Sequence, residues 1–211
     1  MTNHQFFWYM VVQVLVAVGT VGAVVATLVQ AFRGKLWPPK LSLFLRSEVG
    51  EKTRYSNPAP GHAPDVRYYH LCVTNERSWS PARDLSVHLM RIDQPGPDDK
   101  FQIKWSGDVP ICCRDQQIYP LKQTIGSPIE YDICCVGKNP CVLRILPIIA
   151  PNNLTTQWTG PVKINLLLQV KCSENSSARA SVQISWDGTW DDGDAEMKKH
   201  FKIKVSETTQ T

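Results

Sequence analysis

The first apolar stretch of the chain is long and uncharged. No Asp, Glu, Lys or Arg occurs before Arg33, and nearly every position from Phe6 to Phe32 is apolar. A helix needs about 20 apolar residues to cross the hydrocarbon core of a bilayer. Aromatic residues favour the interface of a bilayer, and here they lie at both ends: Phe6, Phe7, Trp8, Tyr9, Phe32 and Trp37. The pattern predicts one transmembrane helix over residues 6–32, after a short tail at 1–5.

Two other interpretations of this stretch compete with a transmembrane helix. A cleaved signal peptide has a basic start and an apolar stretch of about 7–15 residues. This chain has neither, although Val29-Gln30-Ala31 resembles a cleavage site. A buried core helix would usually keep one polar face. The pattern therefore favours a transmembrane helix.

Small residues recur four positions apart within the same stretch. Gly19 is followed by Ala23, and Gly22 is followed by Ala26. This spacing lets two helices in a membrane approach closely, which favours self-association. Homo-oligomerisation through the helix is therefore one hypothesis, although small residues are also common in helices that span alone.

The charges that flank the helix predict its orientation. Only the amino terminus and His4 precede it, whereas Arg33, Lys35, Lys40 and Arg46 follow it. Positive segments near a membrane helix tend to stay in the cytosol. The sequence thus predicts a single-pass protein of the cell membrane, with a linker at 33–40 and a cytoplasmic C-terminal domain.

After Pro39 the pattern changes to short stretches in which apolar and polar residues alternate, separated by turn residues. Such stretches predict strands, here at Leu41–Leu45, Val66–Asn75, Asp84–Ile92, Phe101–Trp105, Tyr131–Val136, Val142–Leu146, Val162–Cys172, Ala178–Trp186 and Phe201–Val205. A loop is predicted at 50–64 and one helical turn at Asp194–Lys199. The sequence therefore predicts an all-β, antiparallel β-sandwich or barrel over 41–205, followed by a disordered tail at 206–211.

One part of this domain resembles a known family. Leu71–Asn75, Ser80-Pro81-Ala82 and Leu85–Val87 resemble the strand–loop–strand pattern of bacterial immunoglobulin-like domains of the cell-adhesion and fibronectin-like kinds. The chain departs from that pattern at Glu76-Arg77, where the family has a glycine after the Asn. The resemblance implies a membrane-anchored bacterial protein with an immunoglobulin-like sandwich, used for binding or spacing and not for catalysis.

The chain has seven cysteines, an odd number that cannot pair completely within one chain. Cys112-Cys113 and Cys134-Cys135 are adjacent, and neighbours on a strand point to opposite faces. Reduced thiols, as in the cytosol, fit this pattern. The spacing of zinc ligands is absent. Glycosylation acceptors at Asn153 and Asn175 matter only in a secretory lumen, and we interpret them as chance.

Neither net charge nor local motifs indicate a specific chemistry. The formal charge of +4 is scattered, so no nucleic-acid partner is expected. Cys112-Cys113-Arg114 places thiols beside a cation, which lowers a thiol pKa, but no His is near in sequence to serve as base. No phosphate-binding loop or serine-nucleophile motif occurs. The chain is therefore predicted not to be an enzyme and to need no cofactor.

Four carboxylates lie within one short acidic segment, Trp186–Asp194. They are Asp187, Asp191, Asp192 and Asp194. Oxygen ligands at this density would suit a hard cation such as calcium. A turn between strands, made soluble by its acidic residues, explains the segment equally well, and no metal site is predicted.

Together these observations predict a membrane-anchored, non-enzymatic binding or interaction module, with the lipid bilayer and a protein as partners. Two alternatives remain open. One is a ligand-sensing membrane effector that oligomerises through its helix, and the other is a metal-dependent enzyme.

Overall fold

The computed structural model describes residues 3–54, 65–114, 128–174 and 177–208. The chain divides into two compact units, residues 1–38 and 39–211, which are described separately below.

The first unit is a single helix, α1, that runs from Asn3 to Leu36. Its segment His4–Phe32 is long and apolar enough to cross a membrane. The helix begins before Phe6 and ends after Phe32, so the predicted tail and linker are helical at 3–5 and 33–36. The helix continues past Phe32 because Arg33 and Lys35 have good helix propensity and no proline occurs before Pro38.

The second unit contains eleven strands and one short helix within its described residues. The strands are β1 (Leu41–Leu45), β2 (Glu51–Arg54), β3 (Asp65–Asn75), β4 (Ser86–Pro95), β5 (Phe101–Pro110), β6 (Ile129–Lys138), β7 (Cys141–Ile145), β8 (Gln157–Trp158), β9 (Val162–Lys171), β10 (Ser177–Trp186) and β11 (Phe201–Thr208). Helix α2 (Asp194–His200) lies between β10 and β11.

Six of the strands form one antiparallel sheet in the order β1-β3-β6-β7-β8, with β2 also paired to β3. Strands β1 and β2 lie along the same edge of β3, because Leu45 is opposite Leu71 and Glu51 is opposite Tyr68. Strand β2 falls inside the loop predicted at 50–64, which is therefore wrong at 51–54. Residues 55–64 lie outside the described residues.

The other five strands form a second antiparallel sheet in the order β11-β10-β9-β4-β5. Strand β11 pairs with β10 as far as Thr208, which is opposite Arg179. The predicted tail is therefore wrong at 206–208, because the backbone of these polar residues completes the sheet ladder. Residues 209–211 lie outside the described residues, as does Asn175.

The two sheets share one hydrophobic core. Tyr69 of the six-stranded sheet stacks on Phe201 of the other, with ring centroids 4.1 Å apart. The hydroxyl of Tyr131 donates to the carbonyl of Leu85 at 2.9 Å, so a polar group at this depth is satisfied. The predicted all-β class with one N-terminal apolar helix is thus confirmed.

Candidate functional site

The acidic segment predicted from sequence lies between β10 and α2, and its carboxylates have separate partners. Asp187 contacts Nδ1 of His200 at 2.7 Å, and Asp191 accepts from the backbone of Gly193 at 2.7 Å. Asp192 and Asp194 instead contact cations of the six-stranded sheet, as described below. The four carboxylates therefore do not converge on one point.

A calcium ion needs six to eight oxygen ligands around a single centre. Among the residues that the structure describes, no group of three or more His, Cys, Asp or Glu side chains could hold a metal ion. Each carboxylate of the acidic segment instead has its own hydrogen-bond or ion-pair partner.

Arg67 of β3 is the buried cation that this segment covers. The residue is fully buried, and its Nη1 donates to Asp194 Oδ1 at 2.7 Å. Its Nη2 donates to the backbone carbonyl of Asp192 at 2.8 Å, and the guanidinium lies 5.6 Å from the ring centroid of Trp190. A second carbonyl, that of Val49, accepts from Nη1 at 3.2 Å. Arg67 therefore ties the β10–α2 segment to the six-stranded sheet.

Asp192 adds a second connection, to cations that are more exposed than Arg67. Its two carboxylate oxygens accept from Nζ of Lys138 on β6 and of Lys52 on β2, each at 2.6 Å. The hydrogen bonds from Lys138 and Lys52 hold the pKa of Asp192 well below its usual value. The acidic segment thus joins the two sheets through Arg67, Lys52 and Lys138, and we call these residues with Asp192 and Asp194 the inter-sheet clamp.

A hydrogen-bonded chain on the five-stranded sheet was missed by sequence reasoning. His88 Nδ1 donates to Asp108 Oδ1 at 2.5 Å, and Ser86 lies 2.9 Å from His88 Nε2. Lys171 Nζ donates to the other oxygen of Asp108 at 2.5 Å. Ser86 and His88 are two apart on one strand and so share a face. Nothing local in the sequence indicates Asp108, which comes from β5.

The hydrogen-bonded chain Ser86–His88–Asp108 has the connectivity of a nucleophilic triad, in which a carboxylate orients a His and the His accepts from a hydroxyl. Burial lowers the pKa of His88, partly opposed by its hydrogen bond to Asp108. The hydrogen bond from Lys171 lowers the pKa of Asp108. At neutral pH the arrangement therefore has a neutral His between an ionised carboxylate and a serine. Ser86, however, is only 4% exposed.

The cysteines are all free thiols. Burial raises the pKa of Cys112, and so does the charge of Asp132, which is the opposite of what a reactive thiolate needs. Burial likewise raises the pKa of Cys135 to about 12. These thiols are protonated at neutral pH and act as small apolar side chains.

The residues predicted to contact lipid or a second helix lie on α1, or directly after it for Trp37. The aromatic side chains are exposed, from 43% for Trp37 to 61% for Phe7. A Cβ atom added at Gly19 or Gly22 would meet nothing within 4 Å. The small-residue positions therefore present open surface within this unit.

Comparisons of the chain with protein-family models, with curated proteins and with solved structures found no match. A functional proposal therefore rests on the geometry described above.

Proposed function

We propose that the chain is a single-pass membrane protein whose second unit is a cytosolic, non-enzymatic binding module. Helix α1 carries the proposal, because its apolar side chains are exposed all around. Leu15 and Val18 are each 65% exposed, and Val21 is 63% exposed. An apolar surface of this extent on a protein marks a membrane or protein contact. The span of 29 residues fits a bilayer, with room to tilt.

We further propose that the second unit is immunoglobulin-like, which its strand order supports. In that fold one sheet contains strands A, B and E, and the other contains G, F, C and C′. The orders β1-β3-β6 and β10-β9-β4-β5 match these sequences of neighbours. The strand order also departs from that fold. Strand β7 follows the E-like strand instead of preceding it, and β11 extends the second sheet.

The cytosolic orientation is supported by charge and by thiol chemistry. Arg33, Lys35 and Lys40 follow the apolar span, whereas only the amino terminus and His4 precede it. The seven cysteines are free, as is usual in a reducing compartment.

Protease accessibility tests the anchor and its orientation together. The full-length protein, expressed in bacteria, is expected to stay in the membrane pellet after carbonate extraction. Protease should degrade residues 39–211 in inverted membrane vesicles and leave them intact in spheroplasts. A full-length protein in the supernatant would refute the anchor, whereas degradation in spheroplasts alone would refute only the orientation.

Affinity capture tests the binding role. The full chain, crosslinked in membranes, should enrich a protein that a chain of residues 1–40 does not. The shorter chain is a matched control because it keeps the helix and the first charges that follow it. If both chains enrich the same proteins, the second unit is not a binding module.

A second candidate function, serine-dependent hydrolysis or acyl transfer, is supported by the chain Ser86–His88–Asp108. We rank this function second because Ser86 is almost completely buried. A fluorophosphonate probe tests it directly: the serine oxygen bonds to phosphorus, fluoride leaves, and His88 takes the hydroxyl proton. Labelling that Ser86→Ala removes and Ser106→Ala keeps would establish a nucleophile. An unlabelled wild-type protein would exclude it.

A further inference from the structure

One end of the five-stranded sheet brings apolar and cationic side chains onto a single face. Residues that are opposite each other on neighbouring strands point to the same side of a sheet. Ile103 is opposite Asp93, Asp93 is opposite Asn165, Asn165 is opposite Gln183, and Gln183 is opposite Lys204. This row therefore crosses all five strands of the sheet on one face.

The neighbouring row, two residues along each strand, continues the same face. Lys163 is opposite Ser185, and Ser185 is opposite Lys202. Phe101 of β5 joins this row, because Lys163 Nζ lies 5.8 Å from the centroid of its ring. We call Phe101, Ile103, Lys163, Lys202 and Lys204 the docking face.

The docking face exposes two large apolar side chains beside its charges. Phe101 is 41% exposed and Ile103 is 62% exposed. Both belong to β5, which is at the edge of the sheet. An aromatic and an aliphatic side chain beside lysines is the composition of surfaces that enter the headgroup region of a bilayer.

The charge of the docking face is uncompensated. Lys163, Lys202 and Lys204 are exposed, and none of them forms an ion pair with a residue that the structure describes. The carboxylate in these two rows, Asp93, is 5% exposed and is paired with Arg91. These two rows therefore carry an excess of three positive charges. Asp187, which lines the same cavity as Lys163 and Lys202, is paired with His200.

We propose that the docking face binds anionic lipid headgroups of the membrane in which α1 is anchored. The lysines supply attraction to phosphate-bearing headgroups, and their alkyl stems let the charges reach outward while Phe101 and Ile103 enter the interface. The anchor holds the face at a high effective concentration near the bilayer, so a weak surface affinity is sufficient. This inference rests on the proposed anchor and adds lipid as a ligand of the second unit.

Hydrogen–deuterium exchange of the full chain in nanodiscs tests the docking face. One set of discs contains phosphatidylcholine alone, and the other also contains phosphatidylglycerol. Amides of β5 at 101–104 should exchange more slowly in the anionic discs. The protection should be lost in 1 M salt, where the Debye length is about 3 Å. It should also be lost in the double variant Lys163→Glu/Lys202→Glu.

A matched control keeps the same change of net charge away from the docking face. Arg83→Glu/Lys198→Glu reverses two cations that are paired with Glu174 and Glu48. This control should keep the protection that the anionic discs give. An equal loss in both double variants would overturn the proposal, because net charge alone would then explain the effect.

The other outcomes are equally decisive. Equal exchange in both kinds of disc, with the protein incorporated, overturns the docking face and leaves the anchor intact. Failure of the protein to enter either disc overturns the anchor and the docking proposal together. Protection by soluble polyaspartate but not by anionic discs would assign the face to an acidic protein instead of lipid.

Discussion

The inter-sheet clamp allows burial and the number of ion pairs to be compared as sources of stability. Asp194 pairs with one cation, Arg67, whose side chain is 1% exposed. Asp192 pairs with two cations, Lys52 and Lys138, whose side chains are 38% and 44% exposed. If the number of ion pairs decided stability, Asp192→Ala would be the more damaging variant. We expect the opposite.

The magnitude follows from the surroundings of each cation. A hydrogen bond to a charged group contributes about 1.5–3 kcal/mol. Asp194 is itself 68% exposed and Arg67 keeps two backbone carbonyls as acceptors, so the lower end, about 1.5 kcal/mol, applies. For a protein of about 200 residues, 1 kcal/mol shifts Tm by about 2–4 °C. Asp194→Ala should therefore lower Tm by about 3–6 °C. Exposed ion pairs contribute little, because water and salt screen them.

Thermal unfolding of the full-length protein in detergent measures both variants. Near-ultraviolet circular dichroism follows the loss of aromatic packing in the second unit on heating. Glu196→Ala is the matched control, because Glu196 lies in the first turn of α2 and pairs with exposed Lys199. It reports the loss of a first-turn carboxylate and one exposed ion pair, without any change at Arg67. The decrease in Tm caused by Asp192→Ala should disappear in 1 M salt, whereas the decrease caused by Asp194→Ala should remain.

Two results would refute this reasoning. The first is a Tm for Asp194→Ala that equals or exceeds that of Asp192→Ala. The second is a decrease in Tm for Asp194→Ala that disappears in high salt, because solvent ions would then reach Arg67. Either result would mean that Arg67 is not a buried cation in solution.

Three further predictions concern other parts of the chain. Because the pKa of His88 is lowered on folding, the unfolded state binds more protons below about pH 6.5. Stability should fall as the pH decreases from 7 to 5, and His88→Gln should reduce that fall in thermal melts. The thiols of Cys134 and Cys135, whose pKa values burial raises, should react with iodoacetamide only in denaturant, as read by peptide mass spectrometry; modification of the native protein would contradict their burial. Gly19→Ile should reduce crosslinked dimers in membranes more than Val18→Ile does, if the small residues form a helix interface; equal reductions would refute that interface.

The class of most elements was predictable from residues close together in the chain. Helix α1 follows from its composition, and most strands follow from alternation with a period of two, as in Val162–Lys171. The ends of elements were less predictable. Strand β2 was missed because its four residues are polar and hold their place by pairing with β3. Pairing is a property of two distant segments, which local alternation does not contain.

The candidate site, too, was only partly predictable from local sequence. The acidic segment stood out from its sequence, but its density of carboxylates fitted a calcium site and a turn equally well. The positions of Arg67, Lys52 and Lys138 distinguish these two interpretations. All three residues lie more than 50 residues in the chain from the carboxylates with which they pair. The chain Ser86–His88–Asp108 likewise forms only because β4 and β5 are neighbours.

The sequence by itself determined that this protein has an apolar helix suited to a bilayer and a strand-rich unit with reduced thiols. These properties depend on the free energy of transferring consecutive side chains and on short-range periodicity. Tertiary structure alone decided which charges meet, because a carboxylate takes its partner from the fold. It also decided that Phe101, Lys163 and Lys202 share one face, since the register between strands is a long-range property.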